Sequence, residues 1–497
     1  MASATSTSNI KASAKTPFHE VIIIGAGFAG IGAAIKLHQA GVDYVLLEKT
    51  TEVGGVWREN TYPDCACDVP STLYSYSFAP NPNWQRLFAD QADIKAYSHD
   101  TAQKFGIMDN IRFQHELNES RWNSEQQCWD LSSSGGQYKA RFVIMACGPM
   151  HKPLIPDIKG IDSFTGKAFH SANWDNDYDF SGKRVAVIGS GGSAIQFLPA
   201  IQPELKHLTL FQRTPPWVLP KANPKISPRW QTIFKTLPFT QSLFRNALFL
   251  QFEFLNHNLK HPKFSGRLEA AAIKHIRRGV KDEELRKKLT PDYSLGCKRI
   301  LLSNNWYRAL AKDNVDVVTG VSEIQGNKII ASDDSSCEVD VIIYGTGFEV
   351  SNPPIGKLVY GVGGKNLAEQ WAGSPEAYMG TMTHNCPNLF LTLGPNLYTY
   401  TSAFVIIEAQ IKYITSAIKK ARRKKIATIT VDRDASDALN NKIQTSLQDT
   451  VWNSGCSSYF IDKNGRNSTN WPWSTMRMRR RLSNFKLGDY VIEKQSG

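Results

Sequence analysis

The chain has 497 residues, 41% apolar, 21% charged and 11% aromatic. This balance excludes collagenous, disordered and disulfide-scaffold classes, and the length corresponds to about three domains around a large core. A surplus of 58 basic over 45 acidic side chains gives a net charge of +13, concentrated in KKARRKK (419–425), MRMRRR (476–481) and 274–288. No nucleic-acid module accompanies the charge, so the expected reading is no nucleic acid and either a solvated basic face or contact with an anionic membrane surface.

Residues 1–17 are rich in Ser, Thr, Ala and Lys without an apolar core and read as a disordered tail. Val21 to Gly25 (VIIIG) is a continuous apolar run of buried parallel-strand type, followed by Gly25-Ala26-Gly27-Phe28-Ala29-Gly30, a helix to about Ala40, and a strand ending in Glu48. A strand at Phe142 to Ala146 breaks at Gly148-Pro149. A second unit follows: the strand Val185 to Gly189 (VAVIG), the turn Gly189-Ser190-Gly191-Gly192-Ser193-Ala194, a helix, and the strand Leu208 to Phe211. A strand at Val339 to Ile343 then breaks at Gly345 and Gly347.

The two breaks look like paired domain crossings. They predict an α/β fold with two Rossmann-like dinucleotide-binding domains, the second inserted in the first: residues 18–150 with 350–497, and residues 151–349, the latter including a helical insert at about 225–290. Within that insert the 239–255 helix is apolar nearly all round. Phe244, Leu248, Phe252 and Leu255 follow one face, and Leu243, Ala247, Leu250 and Phe254 another. Core burial, a homodimer contact or docking on a membrane surface would each account for it; a monomer is equally compatible. No stretch reaches ~18 uninterrupted apolar residues, so no spanning helix is expected.

The chemistry is carried by the two turns. Gly25, Gly27 and Gly30 follow a strand and open a helix, and Glu48 lies 23 residues after Gly25, where an acid accepts ribose hydroxyls. The pyrophosphate would rest on the helix N-terminus. In the second unit the equivalent position is Gln212, followed by Arg213-Thr214, so repulsion of a 2′-phosphate is replaced by a guanidinium able to hold one. FAD in the first unit and NADPH in the second is the resulting expectation. Disulfide reduction, hydride transfer to an external acceptor and reaction of reduced flavin with O₂ remain open at this point. The eight cysteines (65, 67, 128, 147, 297, 337, 386, 456) include no CxxC, so no metal site, no disulfide framework and a reducing cytoplasm are expected.

Longer strings narrow the choice. FxGxxxHxxxW followed by Pro or Asp is present as Phe164, Gly166, His170, Trp174 and Asp175. A second string is present as Gly55, Trp57, Tyr62, Pro63 and Asp68, with Asp64 where Gly or Met is expected, and Thr346-Gly347-Phe348 closes the insert. In these strings the chain resembles the class B flavoprotein monooxygenases, specifically the Baeyer-Villiger monooxygenases. The resemblance implies NADPH-dependent insertion of one oxygen atom from O₂ beside a ketone carbonyl through a C4a-peroxyflavin, giving an ester or lactone, with sulfoxidation as a side activity.

It further implies Arg299 as the fixed positive charge beside the flavin, Asp68 as its anchor, and Lys298 beside Arg213 and Thr214 at the 2′-phosphate. By the same resemblance Gly55, Val56, Trp57, Tyr74 and the Leu117 backbone border FAD, while His170 and Trp174 belong to the cofactor region. Leu397, Tyr398 and Tyr400 are the candidate substrate-pocket residues. The rival readings are a flavin-containing N- or S-monooxygenase and an uncoupled NADPH oxidase.

Overall fold

The structure is a computed structural model that describes residues 16–259 and 265–495. The expected N-terminal tail therefore falls, except for its last two residues, outside the described residues. Two sheets organise the chain, the first mixed and the second parallel. In the first, Phe18–Ile24 runs between Tyr44–Leu47 and the long strand Gly136–Met145, and Ile111–Arg112 lies beyond Tyr44–Leu47. The far half of Gly136–Met145 also pairs in parallel with Leu389–Leu391, while its near half continues an antiparallel meander through Cys128–Ser133 and Leu117–Asn123. The strands Val21–Ile24 and Tyr44–Leu47 are buried on both faces, which is why they read as unbroken apolar runs.

The second sheet is parallel throughout, in the order Val315–Val318, His207–Phe211, Arg184–Ile188, Val341–Tyr344, Lys167–His170. The chain leaves the first sheet after residue 145 and returns before residue 389, and the two connecting segments run side by side. Leu154 N–H donates to the Gly347 carbonyl (2.9 Å), Glu349 N–H to the Lys152 carbonyl (3.1 Å), and Thr346 Oγ1 to the Leu154 carbonyl (2.5 Å).

Among its described residues the insert contains four helices, Pro228–Thr236, Pro238–Leu259, Gly266–Gly279 and Glu283–Leu289. The long helix Pro238–Leu259 sends Leu248, Phe249 and Leu259 into the same core as the first-sheet residues Val21 and Ile23. Its outer face is bare: Phe239, Leu243, Leu250 and Phe254 are 58% to 74% exposed. An all-round apolar helix is thus not an all-round buried one here, because only one side meets the core.

One expectation about the cysteines is overturned. Cys297 and Cys456 form a disulfide, and the other six are free. The partners are 159 residues apart. Their pairing is a tertiary contact, so a search for short cysteine spacings could not find it.

Candidate active site

Each glycine-rich turn has the shape its sequence requires. Gly25 stands at φ +100° with the Ala146 carbonyl 2.8 Å from where a Cβ would lie, and a Cβ on Gly30 would sit 1.9 Å from the Gly25 carbonyl. Only hydrogen fits at either position. Gly27 precedes the helix Phe28–His38, whose first turn opens toward Gly55: the Gly27 Cβ position is 3.7 Å from the Gly55 Cα. Phe28, Ala29 and Gly30 are buried in that first turn. Gly189 repeats the arrangement at φ +102°, with the Gly345 carbonyl 2.6 Å from its Cβ position. Gly191, Gly192 and Ser193 complete the turn ahead of the helix Ala194–Ile201, and Ser190 Oγ donates to the Thr214 carbonyl (3.4 Å). These are two backbone cradles, each at the N-terminus of a helix, where amide groups and the helix dipole favour a pyrophosphate.

Glu48 closes the first cradle. Its Oε2 accepts from Ala26 N–H (2.7 Å), and its Oε1 from the N–H (3.0 Å) and hydroxyl (2.8 Å) of Thr50. Each carboxylate oxygen has more than one acceptor direction, so these bonds fix the side chain without exhausting it. The 114–115 segment borders it as well: Gln114 N–H donates to the Thr50 carbonyl and His115 N–H to the Glu48 carbonyl. Leu117, two residues on, is buried among Ile22, Ile24, Val45 and Leu47.

The second string folds as a turn wrapped on the first sheet. Gly55 precedes a single helical turn, Val56–Glu59, and Trp57 Nε1 donates to the Tyr74 hydroxyl (2.9 Å). Asp64, where glycine or methionine was expected, adopts φ +58°, a left-handed conformation that aspartate tolerates better than most residues. The turn keeps its course despite the departure.

Gln196, on the helix of the second unit, ties this turn down. Its Oε1 accepts from the Tyr62 hydroxyl (3.2 Å) and Ala66 N–H (3.2 Å), and its Nε2 donates to the Ala66 carbonyl (3.0 Å). No local pattern pointed to Gln196; its role depends on a contact across 130 residues.

Asp68, at the end of this turn, faces Arg299. Arg299 Nη2 donates to both carboxylate oxygens at 2.6 Å, and the side chains are 34% and 23% exposed. The arginine is partly buried, with Asp68, Tyr398 and Tyr459 around it. The carboxylate beside it lifts its pKa well above the usual arginine value, so the group stays cationic. Tyr398 and Tyr459 lie close enough to Arg299 to interact with it electrostatically, and burial raises both phenols. Tyr459 was not anticipated, because nothing in its local sequence distinguishes it.

The Arg299 turn is fastened from below. The Tyr400 hydroxyl shares its proton between the Gly296 carbonyl (3.0 Å) and the Lys298 carbonyl (3.1 Å). Leu397 packs against Gly380 in the core and is 1% exposed.

Lys298 points to a second cationic group. Burial lowers its pKa, and the nearby Arg213 lowers it further. Two cations held near each other beside the Gly189 turn form a site that suits an anion, as a 2′-phosphate requires.

His170 and Trp174 occupy a different environment. Gly166 leaves room for the Phe164 ring and the Asp340 carbonyl, 2.6 and 2.4 Å from its Cβ position. The strand Lys167–His170 follows at the edge of the second sheet. His170 is buried, its Nδ1 accepting from Ala172 N–H (3.1 Å) and its ring set edgewise on Phe348 (5.6 Å), and burial lowers its pKa. Trp174 packs on Phe169 and Phe197. The signature thus holds an edge strand to the crossing segment 346–348.

Comparison with known proteins agrees with this geometry. Residues 22–248 match the pyridine nucleotide-disulphide oxidoreductase family. Over 481 residues the chain is 44% identical to a Baeyer-Villiger monooxygenase of Streptomyces coelicolor, covering 95% of this chain and 92% of that protein. It is 41% identical to a Baeyer-Villiger monooxygenase of Pseudomonas aeruginosa over 95% of this chain and 91% of that one. Among solved structures, a steroid monooxygenase bound to NADP superposes with a TM-score of 0.86 at 26% identity, and OTEMO in complex with FAD and NADP with 0.86 at 25%; each match covers 96% of this chain and 100% of the other. These likenesses define the class as a pyridine-nucleotide-dependent flavoprotein monooxygenase. Within that class, the chain belongs to the Baeyer-Villiger monooxygenase family.

Proposed function

We propose that the chain carries FAD on its first unit (residues 18–150 with 350–497) and NADPH on its second (151–349), and converts ketones to esters or lactones with O₂, with Arg299 as the fixed charge at the reacting oxygen. The observation that carries this reading is the Asp68–Arg299 pair, which holds a permanent cation where the turn ending at Asp68 meets the 296–302 loop. Bound flavin supplies the oxygen chemistry and NADPH the hydride.

The protein's part is positioning and charge. The amides after Gly25 receive one pyrophosphate and those after Gly189 the other, and Glu48 takes the ribose hydroxyls of the first nucleotide. Gly55, Val56, Trp57 and Tyr74 form a wall of the flavin site. Arg213, Lys298 and Thr214 hold the 2′-phosphate, whose negative charge offsets the repulsion between the two cations. Arg299 stabilises the negative charge that builds on oxygen during attack on the ketone carbonyl, as donors in an oxyanion hole do. A guanidinium suits this because it keeps its proton where a desolvated ammonium does not. Asp68 fixes the fork in place. Tyr398 and Tyr459 border the ketone beside Arg299, and His170 and Trp174 join the cofactor domains as they move.

Partners beyond substrate, cofactors and O₂ are suggested by the long helix. We infer that the exposed stripe Phe239, Leu243, Leu250 and Phe254 docks on the anionic cytoplasmic leaflet. Among the described residues, half of the fourteen exposed large apolar side chains lie between Trp230 and Phe254. The basic helix Thr475–Arg481 borders them: Glu253 accepts from the N–H groups of Thr475 and Met476, and Arg479 lies over the Phe249 ring. Apolar side chains flanked by arginines match an anionic lipid surface better than a second basic copy of the chain. No helix among the described residues is long and apolar enough to cross a membrane.

Three outcomes are expected. Arg213→Ala should raise KM for NADPH by about 10- to 100-fold, with little change for NADH, since each lost charge-assisted bond contributes about 1.5 to 3 kcal/mol; equal losses with both nucleotides would contradict the assignment. Arg299→Ala should still reduce its flavin with NADPH under anaerobic conditions, yet make no ester from a ketone panel and divert NADPH consumption to hydrogen peroxide. Asp68→Ala should do so more mildly, and ester formation at the parental rate in Arg299→Ala would refute the role. Finally, the parental enzyme should float with phosphatidylglycerol vesicles at low salt but not with phosphatidylcholine vesicles. The Leu243→Asp/Phe254→Asp variant should remain unbound with ketone oxidation intact. Vesicle-independent dimers that this variant dissociates would overturn the membrane assignment.

A further inference from the structure

The Cys297–Cys456 disulfide adjoins the site without taking part in the chemistry above. Cys297 is fully buried and stands two residues before Arg299, in the turn that Tyr400 fastens at Gly296 and Lys298. Cys456 is partly exposed, in the segment that carries Trp452 on one side and Tyr459 on the other, and residues 453 to 455 before it face solvent. Tyr400 stacks on Trp452 with ring centroids 6.2 Å apart, and Tyr459 interacts with Arg299. The crosslink therefore joins the turn that presents the guanidinium to the segment that carries Tyr459 against it.

We propose that Cys297–Cys456 is a reversible redox site that sets the position of Arg299, so that its reduction uncouples oxygenation from NADPH consumption. The inference rests on the role proposed above for Arg299. One sulfur is reachable and the other is not, which orders the chemistry. A thiolate of a dithiol attacks the Cys456 sulfur, forming a mixed disulfide and breaking the Cys297–Cys456 bond. Cys297 leaves as a thiolate and takes a proton. The second thiol of the reductant then attacks its own sulfur in the mixed disulfide and releases Cys456. The protein disulfide gains two electrons and two protons, and the dithiol becomes a cyclic disulfide.

The return step takes a two-electron oxidant: hydrogen peroxide, the product of the uncoupled reaction, oxidises one thiol to a sulfenic acid with loss of water, and the other thiol displaces a second water to re-form the bond. Once it is open, Tyr400 still holds the 296–299 turn, but the 453–460 segment has lost its covalent tie to that turn. Small displacements of a charge from the reacting atoms are costly to rate, while hydride transfer from NADPH needs no contact with Arg299.

The test uses the full-length holoenzyme. Alkylation of the holoenzyme quenched into denaturant without reductant, followed by peptide mapping, should label six cysteines and recover one crosslinked peptide joining Cys297 to Cys456. After dithiothreitol all eight should be labelled. The ratio of ester to hydrogen peroxide should fall at least about threefold in the reduced enzyme, with anaerobic flavin reduction unchanged. Removal of dithiothreitol and reoxidation should restore the ratio. Cys456→Ser should match the reduced form and fail to respond to either treatment, while reduction and reoxidation of the parental chain provide the same comparison without a substitution. Absence of the crosslinked peptide, or a ratio indifferent to dithiothreitol, would overturn the proposal. The two readings fail separately: ester formation by Arg299→Ala removes the underlying role, whereas an uncoupled Arg299→Ala together with an indifferent reduced enzyme removes only the redox site.

Discussion

A single ion pair organises the site. Arg299 and Asp68 are 231 residues apart in sequence and meet at 2.6 Å, one from the turn wrapped on the first sheet and the other from the loop before the short strand Leu301–Leu302. A partly buried arginine without a partner would be costly, and a carboxylate there would be equally so. Paired, they form a cation whose place is set by two different parts of the chain. Any rearrangement that separated the first turn from the 296–302 loop would have to break this pair.

Much of the surrounding structure serves to keep those two segments together. Gln196 grips the Tyr62 hydroxyl and the Ala66 backbone from the second unit, and the crossing segments 152–154 and 347–349 hydrogen-bond to each other. The His170 and Trp174 side chains are packed into the second unit and against the crossing, so their contribution is to hold that frame. Frame and fixed charge are thus coupled: Gln196 ties the turn that ends at Asp68 to the second unit, and Asp68 in turn holds Arg299.

The shape of both glycine-rich turns was legible because their determinants are local. A two-face-buried strand, a glycine at φ near +100° and a helix in contact with its own turn are all written within about 25 residues, and so is Glu48 at the end of the next strand. The Arg299 assignment needed resemblance, since a Lys-Arg pair before a strand is ordinarily a solvated surface feature. Gln196, Tyr459 and the Cys297–Cys456 bond were invisible for a common reason: each acts through a partner more than 100 residues away, and one-dimensional spacing carries no such information. The helix Pro238–Leu259 illustrates the opposite limit. Its apolar composition was plain, yet only the fold shows that one stripe enters the core while Phe239, Leu243, Leu250 and Phe254 stay outside.

The central claim is that a permanent positive charge at position 299, and not merely a long polar side chain, directs oxygen to the ketone. Arg299→Lys keeps a cation beside Asp68, whose carboxylate favours the charged form, whereas Arg299→Gln keeps a polar donor without the charge. The direct measurement is the fraction of NADPH consumption recovered as ester in the parental enzyme and in these two variants. The account predicts a fraction near zero for Arg299→Gln and a substantial one for Arg299→Lys. Equal fractions in the parental enzyme and in Arg299→Gln would contradict the claim, because the charge at 299 would then not be what directs the oxygen.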